Sequence, residues 1–389
     1  MTGLDERLRD VGLTVPRYDG THLGLVLPAV ADALGAPRGP QDAVARRALG
    51  LEELPRAVVV LVDGLGRGNL AERAGHAPFL RRLLAEDDVG LVSGFPTTTT
   101  TSLGLFGTGL PAGRTGLVGY SMRNPESGAL GNFVRWEGVP DPARWQLEPS
   151  VLAHLETSGL AVPSIGAPRF VGSGLTRAAL GGGRYLAVEP LAGRVDATVQ
   201  ALREPGLVYM YWGEIDRVGH KLGWQSPEWG AALEETDAEL SRLARSLPRG
   251  TTLVITADHG MIDVDPAARV DIAAAREISA DVELLGGEPR AVHVYLRGGV
   301  DPARAAEAWR GVVGEAGVVA TREEVVQAGW FGEVAARVEP AIGDLVVAAT
   351  GRATVVDSAG ATPGLLAMVG VHGSLTPMEI ELPFLRVSS

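Results

Sequence analysis

The sequence contains no cysteine. Disulfide bonds, a thiolate nucleophile and every metal site built on cysteine are therefore excluded. If the protein binds a transition metal, the ligands have to be histidine nitrogens and carboxylate oxygens. Seven histidines occur among the 389 residues, so the position of each one carries information.

Long apolar runs and basic stretches are also missing. No stretch approaches the roughly 18 consecutive apolar residues of a membrane-spanning helix, and the opening residues MTGLDERLRD lack the apolar core of a signal peptide. We therefore expect a cytoplasmic protein without a membrane partner. The formal net charge of -12 repels a phosphate backbone, so we expect no nucleic-acid polymer as partner. An anionic small molecule would have to be attracted by bound cations.

Short apolar runs rich in β-branched residues alternate with segments of helical spacing. The runs predict buried strands at Ala57–Val62, Leu207–Trp212, Thr252–Thr256 and Leu365–Val371. Helical spacing is found in Glu228–Leu247 and Pro302–Val313. This alternation indicates an α/β fold with a largely parallel sheet covered on both faces. Residues 1–389 are treated as one domain, with candidate cap or insertion segments at 121–180 and 264–360, where the composition shifts.

An aspartate, a histidine or both follow each of the four predicted strands. They are Asp63, Asp216, His220, Asp258, His259 and His372. Because ligands of open α/β sheets bind beyond the carboxyl ends of the strands, these side chains can converge although they are far apart in the chain. An aspartate after a strand is often a helix cap or turn former. The repetition at four strand ends favours two sets of three oxygen and nitrogen ligands, each able to hold one metal ion.

A threonine run supplies candidate hydroxyl groups. Thr97–Thr101 precede the small and apolar residues SLGLFGTGL, a pattern that predicts a threonine-capped helix packed closely against the sheet. A hydroxyl at such a helix N-terminus lies beside unpaired backbone N–H groups, where a phosphoryl group would also bind. The glycine-rich stretch Asp63–Asn69 lacks the Lys-Ser/Thr ending of a phosphate-binding loop and the full dinucleotide fingerprint. Its glycines are interpreted as turn residues.

The order of these residues resembles the alkaline phosphatase superfamily, and within it the type I phosphodiesterase/nucleotide pyrophosphatase family. The resemblance covers the chain from about Ala57 to Phe384. It implies a single catalytic domain with an alkaline phosphatase-like three-layer sandwich, a largely parallel central sheet and a small cap or insertion. It also implies hydrolysis of small-molecule phosphate esters through a phosphothreonine intermediate.

The resemblance also implies the roles of individual residues. In the family the nucleophile lies nine residues before the threonine of a Thr-Gly pair, here Thr108-Gly109, which points to Thr99. Two divalent cations are implied, Zn2+ in the first place with Mn2+ or iron as alternatives. One would be held by Asp216, His220 and His372, the other by Asp63, Asp258, His259 and Thr99.

One departure from the family pattern concerns the substrate. Nucleotide pyrophosphatases follow the nucleophile with Phe-Pro-Asn and bind a phosphoryl oxygen through a later asparagine, whereas this chain has Thr100–Ser102 and Tyr120 there. Ser102, Tyr120 and Arg123 are candidates for the missing contact. A phosphodiesterase is the first expectation. The enzyme alternatives are a phosphonoacetate hydrolase or a phosphomonoesterase of the same superfamily, and the non-enzyme alternative is a metal-binding regulatory protein that retains the fold.

Overall fold

The computed structural model describes residues 3–86 and 89–389, in which strands and helices alternate. The strands are β1 Arg56–Val62, β2 Leu91–Val92, β3 Ser121–Arg123, β4 Leu130–Asn132, β5 Ser164–Gly166, β6 Tyr185–Ala187, β7 Gly206–Trp212, β8 Thr251–Thr256, β9 Ile262–Asp263, β10 Arg269–Asp271, β11 Val282–Glu288, β12 Ala291–Leu296, β13 Gly317–Thr321, β14 Leu345–Ala349, β15 Thr354–Val356, β16 Gly370–Val371, β17 Glu381–Leu382 and β18 Phe384–Ser388.

The α-helices are α1 Gly3–Asp10, α2 Val26–Ala33, α3 Pro40–Ala48, α4 Arg67–Glu72, α5 Pro78–Glu86, α6 Thr99–Thr108, α7 Ala112–Thr115, α8 Pro142–Trp145, α9 Val151–Thr157, α10 Gly174–Leu180, α11 Leu191–Ala201, α12 Glu214–Leu222, α13 Pro227–Arg245, α14 Arg276–Ser279, α15 Pro302–Val313, α16 Arg322–Gln327, α17 Pro363–Leu366 and α18 Pro377–Ile380. Short 3-10 helices lie at Leu23–Leu25, Ala74–His76, Pro168–Phe170, Pro266–Ala268, Gly314–Ala316 and Glu339–Ala341. Every described helix is too short or too polar to span a bilayer.

A six-stranded sheet forms the centre of the described chain, in the order β18-β8-β1-β7-β5-β6. Strand β1 pairs in parallel with β7 and β8, and β5 pairs in parallel with β6 and β7. The edge strand β18 is antiparallel to β8. Residues Ala57 to Val62 of β1 are fully buried, as expected of a β-branched run covered on both faces. The predicted α/β fold with a largely parallel central sheet is confirmed.

A second, smaller sheet lies within segment 264–360. Its strands are antiparallel, in the order β11-β12-β14-β13. Val292, Val294 and Val347 of this sheet pack with Trp309 of α15 in a hydrophobic cluster separate from the main core. Segment 121–180 is different, because it contains the β3–β4 hairpin and also β5, which is a strand of the central sheet. Segment 121–180 therefore contributes the strand next to the edge strand β6 of the central sheet.

The strand predicted at Leu365–Val371 is wrong. Thr362 accepts a hydrogen bond from the Leu365 N–H and Pro363 occupies the first helical position, so this stretch opens as the short helix α17. The extended part of this fully described run is Gly370–Val371, which pairs with β9 outside the central sheet. A short apolar run has no periodicity that separates a strand from a helical turn. His372 therefore follows a two-residue strand rather than a central one.

Candidate active site

Helix α6 begins at Thr99, and two threonines of the run, Thr98 and Thr99, line a cavity. Thr99 is partly exposed and lines that cavity. The other four threonines of the run are at most 1% exposed: Thr97, Thr98, Thr100 and Thr101. The helix lies so close to its neighbour α10 that only glycine fits at position 107. A Cβ on Gly107 would stand 1.8 Å from the Ala179 carbonyl oxygen. Thr99 is thus the hydroxyl of the run that a small molecule can reach.

The carboxyl ends of three adjacent strands supply the aspartates. Asp63 directly follows β1, Asp258 lies two residues after β8, and Asp216 lies in the first turn of α12 after β7. Because β8, β1 and β7 are neighbours in the sheet, their ends meet at one edge. The Gly64 N–H donates a hydrogen bond to Oδ1 of Asp258, at 3.2 Å.

One cluster contains Asp63, Asp216 and His259. One ligand atom from each of these residues lies within 4.8 Å of the other two. Nε2 of His259 is 3.3 Å from Oδ1 of Asp63 and 3.6 Å from Oδ2 of Asp258. The same Nε2 is 3.3 Å from Oγ1 of Thr99. The side chains predicted to share one ion are therefore neighbours, with Asp216 beside them.

A second cluster contains Asp216, His220 and His372, again with ligand atoms within 4.8 Å of one another. Asp216 and His220 are four residues apart on α12, which places them on one face of the helix. Nε2 of His220 is 3.3 Å from Oδ1 of Asp216 and 3.3 Å from Nε2 of His372. The loop after β16 therefore brings His372 to the site although the central strand predicted before it does not exist.

The Nδ1 atoms of the three histidines are hydrogen-bonded to backbone carbonyl groups. Nδ1 of His220 lies 2.8 Å from the Gly370 carbonyl oxygen, and Nδ1 of His372 lies 2.8 Å from that of Thr97. Nδ1 of His259 is 3.1 Å from the Gly260 oxygen. A neutral imidazole that donates through Nδ1 leaves Nε2 with a free lone pair. All three Nε2 atoms lie among the carboxylates, as metal ligation requires.

Burial and repulsion between like charges shift the pKa values of the residues in the clusters. Burial raises the pKa of Asp63 well above its ordinary value, and the charges of Asp258 and Asp216 raise it further. Burial also raises the pKa of Asp258, while the neighbouring His259 lowers it. The pKa of His372 is well below its ordinary value because of burial and of the neighbouring His259 and His220. The isolated protein therefore disfavours the carboxylate charges that its fold brings together.

The donor set fits divalent cations. One carboxylate oxygen of each aspartate is buried without a hydrogen-bond partner in the described chain: Asp63 Oδ1, Asp216 Oδ1 and Asp258 Oδ2. Unpaired buried carboxylate oxygens are costly, and a bound cation would offset that cost. Carboxylate oxygens together with imidazole nitrogens suit zinc and similar ions.

A cavity of about 340 Å3 opens beside the clusters. Thr99, Asp216, His220 and His372 line one part of it. Apolar side chains line much of the remainder, among them Leu103, Val134, Ile165, Phe170, Leu175 and Leu180. Tyr120, predicted as a substrate contact, also lines the cavity.

The other two predicted substrate contacts lie elsewhere. Ser102 is fully buried, and its hydroxyl is 2.9 Å from that of Ser93. Arg123 forms an ion pair with Glu283 and stacks over the Tyr295 ring at 5.0 Å. Neither Ser102 nor Arg123 lines the cavity, so the structure does not bring them to the site.

Sequence reasoning missed two residues next to the clusters. The Tyr211 hydroxyl donates a hydrogen bond to Oδ2 of Asp63. Tyr211 lies in the predicted strand β7 on the same face as Tyr209, a pattern that could have indicated it. Glu288 is largely buried, with its side chain 9% exposed and its Oε2 3.4 Å from Nδ1 of His372, and this environment raises its pKa well above the ordinary value. No local pattern signals Glu288, because it reaches the site from the smaller sheet.

The parallel sheet, the helix N-terminus with its threonine and the Asp/His clusters define a protein of the alkaline phosphatase superfamily. The chain belongs to the type I phosphodiesterase / nucleotide pyrophosphatase family, whose family model matches residues 57–375.

Solved structures of superfamily members share the fold. Murine ectonucleotide pyrophosphatase/phosphodiesterase 5 superimposes with a TM-score of 0.70 and 18% identity, over 86% of this chain and 88% of that one. Phosphonoacetate hydrolase from Sinorhizobium meliloti 1021, in complex with phosphonoacetate, gives a TM-score of 0.64 and 22% identity, over 85% and 89%.

Similarity in sequence to curated relatives is confined to part of the chain. Phosphopentomutase from Sinorhizobium fredii is 32% identical over 133 residues, which cover 33% of this chain and 31% of that enzyme. The chain thus matches about a third of the length of this relative. By their names, the similar proteins are a pyrophosphatase/phosphodiesterase, a hydrolase and a mutase, which supports an enzyme of this superfamily.

Proposed function

We propose that this protein is a two-metal phosphodiesterase that hydrolyses phosphoric esters of small molecules through Thr99. The observation that carries the proposal is the position of the Thr99 hydroxyl. It is the accessible hydroxyl of a buried run, at the start of α6, with Oγ1 3.3 Å from Nε2 of His259. A reactive hydroxyl beside a helix N-terminus and an Asp/His cluster suits attack on phosphorus.

The two clusters would each hold one divalent cation. We assign Asp216, His220 and His372 to one ion, and Asp63, Asp258, His259 and Thr99 to the other. Zn2+ suits this ligand set best, with Mn2+ or iron as alternatives. When bound, the two ions would stabilise the charge on the entering and leaving oxygens of phosphoryl transfer.

The residues of the chain supply the nucleophile, the charge stabilisation and a substrate contact. Oγ1 of Thr99 attacks phosphorus and releases its proton to solvent, while the bond from phosphorus to the leaving alcohol oxygen breaks and that oxygen takes a proton from water. Water then cleaves the phosphothreonine, which releases the phosphate product and restores the Thr99 hydroxyl. The positive end of the α6 dipole stabilises the phosphoryl oxygens in both steps. Tyr120 lines the cavity and is proposed to contact the substrate there.

The wall of the cavity favours an organic leaving group. Its many apolar side chains can enclose an aromatic or aliphatic group, whereas the small charged phosphonoacetate would leave them without contacts. This feature favours an ester with a sizeable alcohol over a phosphonoacetate hydrolase.

Substitution of Thr99 tests the proposal. Thr99→Ala should lower the rate of bis-p-nitrophenyl phosphate hydrolysis by more than about a thousandfold, because the attacking oxygen is removed. Metal content, measured by inductively coupled plasma mass spectrometry, should stay near two ions per chain because the aspartates and histidines remain. The matched control is Thr100→Ala, which removes a fully buried hydroxyl next to Thr99 and should retain activity.

Full activity of Thr99→Ala would refute the assignment of the nucleophile. A wild-type protein that binds two ions but hydrolyses no diester, monoester or phosphonate would instead favour the regulatory alternative.

A further inference from the structure

Two hydroxyl groups in the cavity have no partner in the described protein. Ser164 and Tyr209 line the cavity and are 5% and 3% exposed. Neither Oγ of Ser164 nor the Tyr209 hydroxyl oxygen has a hydrogen-bond partner among the described residues. Buried hydroxyl groups are normally hydrogen-bonded, since an unpaired one loses its bonds to water without replacement.

The two residues that carry these hydroxyl groups are neighbours in the central sheet. Ser164 of β5 and Tyr209 of β7 are register partners on adjacent parallel strands. Register partners project to the same face of a sheet, and both residues border the same cavity. Both hydroxyl groups therefore border the same cavity from neighbouring strands.

Three other hydroxyl groups of the cavity, by contrast, donate hydrogen bonds within the protein. The Tyr185 hydroxyl donates to the Ala167 carbonyl oxygen at 3.0 Å, and that of Tyr211 donates to Asp63. Oγ of Ser173 donates to Oγ1 of Thr176 at 2.9 Å. Ser164 and Tyr209 differ from these neighbours in lacking a partner within the described chain.

Strand β7 connects this pair of hydroxyl groups to the metal-ligand clusters. Tyr209 and Tyr211 are two residues apart and face the same side, which separates them by roughly 7 Å along the strand. Tyr211 contacts Asp63 of the clusters. If the phosphorus of an ester lies near Thr99, the far end of a flat leaving alcohol could thus reach Ser164 and Tyr209.

The surroundings favour an uncharged polar group. Leu103, Leu175 and Leu180 line the same cavity, and a charge placed against such side chains would be strongly disfavoured. The two arginines of the cavity are ion-paired at exposed positions, Arg169 with Glu189 and Arg217 with Glu214. The pair of hydroxyl groups suits a neutral hydrogen-bond acceptor such as a carbonyl oxygen or a ring nitrogen.

We propose that Ser164 and Tyr209 form a specificity subsite for an uncharged hydrogen-bond acceptor at the far end of the leaving alcohol. That the bound group is the leaving alcohol of an ester rests on the proposed function. The subsite itself stands on the two unpartnered hydroxyl groups.

A pair of matched esters tests the subsite. Methyl 4-acetylphenyl phosphate carries a carbonyl acceptor at its far end, and methyl 4-isopropylphenyl phosphate has the same shape without it. Tyr209→Phe and Ser164→Ala should each lower kcat/KM for the acetyl ester about tenfold, and change that for the isopropyl ester less than about twofold. Tyr185→Phe is the control, because it removes a cavity hydroxyl that is already bonded to the protein, and should leave the ratio of the two esters unchanged.

Binding of the free phenols gives a readout without turnover. By titration calorimetry, 4-hydroxyacetophenone should bind wild type more tightly than 4-isopropylphenol does, and Tyr209→Phe should abolish the difference. An unchanged preference in both variants, in hydrolysis and in binding, would overturn the subsite. If wild type hydrolyses neither ester but binds the phenols with this preference, the subsite is supported and the proposed function fails.

Discussion

The Tyr211 hydroxyl reaches the charged clusters from the central sheet. It donates to Oδ2 of Asp63, and this hydrogen bond counteracts the rise in the pKa of Asp63 that burial and the neighbouring carboxylates cause. Loss of a hydrogen bond to a metal ligand typically lowers metal affinity by about 10–100-fold.

Tyr211→Phe should therefore weaken metal binding. We expect about a tenfold loss of affinity for one of the two ions at pH 7, because the Asp63 carboxylate loses a hydrogen-bond donor to its charged form. Competition with a chromophoric chelator measures both dissociation constants. Tyr185→Phe makes the same chemical change away from the clusters and should leave both constants unchanged. Equal affinities in wild type and Tyr211→Phe would contradict this role.

The three aspartates that the sequence predicts share one property: their position is tied to a strand visible in the sequence. Asp63, Asp216 and Asp258 follow strongly apolar strands, so the chain order places them at the sheet edge. Ser102 could not be assigned to a face, because α6 is buried over nearly its whole length and has no polar side. Arg123 turns to Glu283, 160 residues away, a contact that no local pattern contains.

The loop that carries His372 is held by a buried ion pair between two elements. Arg290, between β11 and β12, donates to both carboxylate oxygens of Glu379 in α18, at 3.1 and 2.7 Å. Glu379 also accepts from the Ser374 N–H and the Thr376 hydroxyl. Both charged side chains are 0% exposed. The ion pair thus fastens the chain after His372 to the smaller sheet.

Breaking this ion pair should destabilise the protein strongly. Arg290→Met leaves the Glu379 charge buried without its partner, which typically costs about 3–5 kcal/mol. Urea unfolding followed by circular dichroism measures the loss. The control Arg144→Met breaks an exposed pair with Glu126 and should change the free energy of unfolding by less than about 1 kcal/mol. The double variant Arg290→Met, Glu379→Leu should be more stable than Arg290→Met alone, and a single variant as stable as wild type would contradict the expectation.

Elements with a strong pattern over many residues were predictable, and short ones were not. The strands at Ala57, Leu207 and Thr252 and the helices α13 and α15 lie where sequence predicts them. Strands β5 and β6 are three residues each, too short for an alternation to be visible. They join the sheet through pairing with β7, which is a tertiary property.

His293 of β12 joins the smaller sheet to the loop before Tyr120. Its ring is fully buried, with Nε2 2.9 Å from the Val118 carbonyl oxygen, and Nδ1 accepts from the Gly343 N–H at 3.0 Å. Nε2 therefore donates, and both nitrogens are satisfied by the neutral ring. Val118 lies in the segment that leads to Tyr120, so this contact connects the smaller sheet to the wall of the cavity.

The neutral state of His293 makes the stability of the whole molecule depend on pH. Burial lowers the pKa of His293 to about 4 from its ordinary value of 6.5. Between these two values the unfolded chain binds a proton at this histidine that the folded protein does not. The contribution of His293 to stability is therefore complete above pH 6.5 and is lost as the pH falls towards 4. The difference in pKa corresponds to about 3 kcal/mol.

Substitution of His293 should remove its contribution to the pH dependence of the free energy of unfolding. His293→Gln is expected to be less stable than wild type at pH 7, since one of the two hydrogen bonds is lost, but its stability should fall less steeply in acid. The gap in the free energy of unfolding between the two proteins should therefore narrow by about 2–3 kcal/mol between pH 7 and pH 4. Urea unfolding at half-unit pH steps measures both curves. Parallel curves would show that protonation of His293 is not coupled to unfolding, whereas convergence confined to this interval identifies its buried neutral ring as the cause, because other groups titrate equally in both proteins.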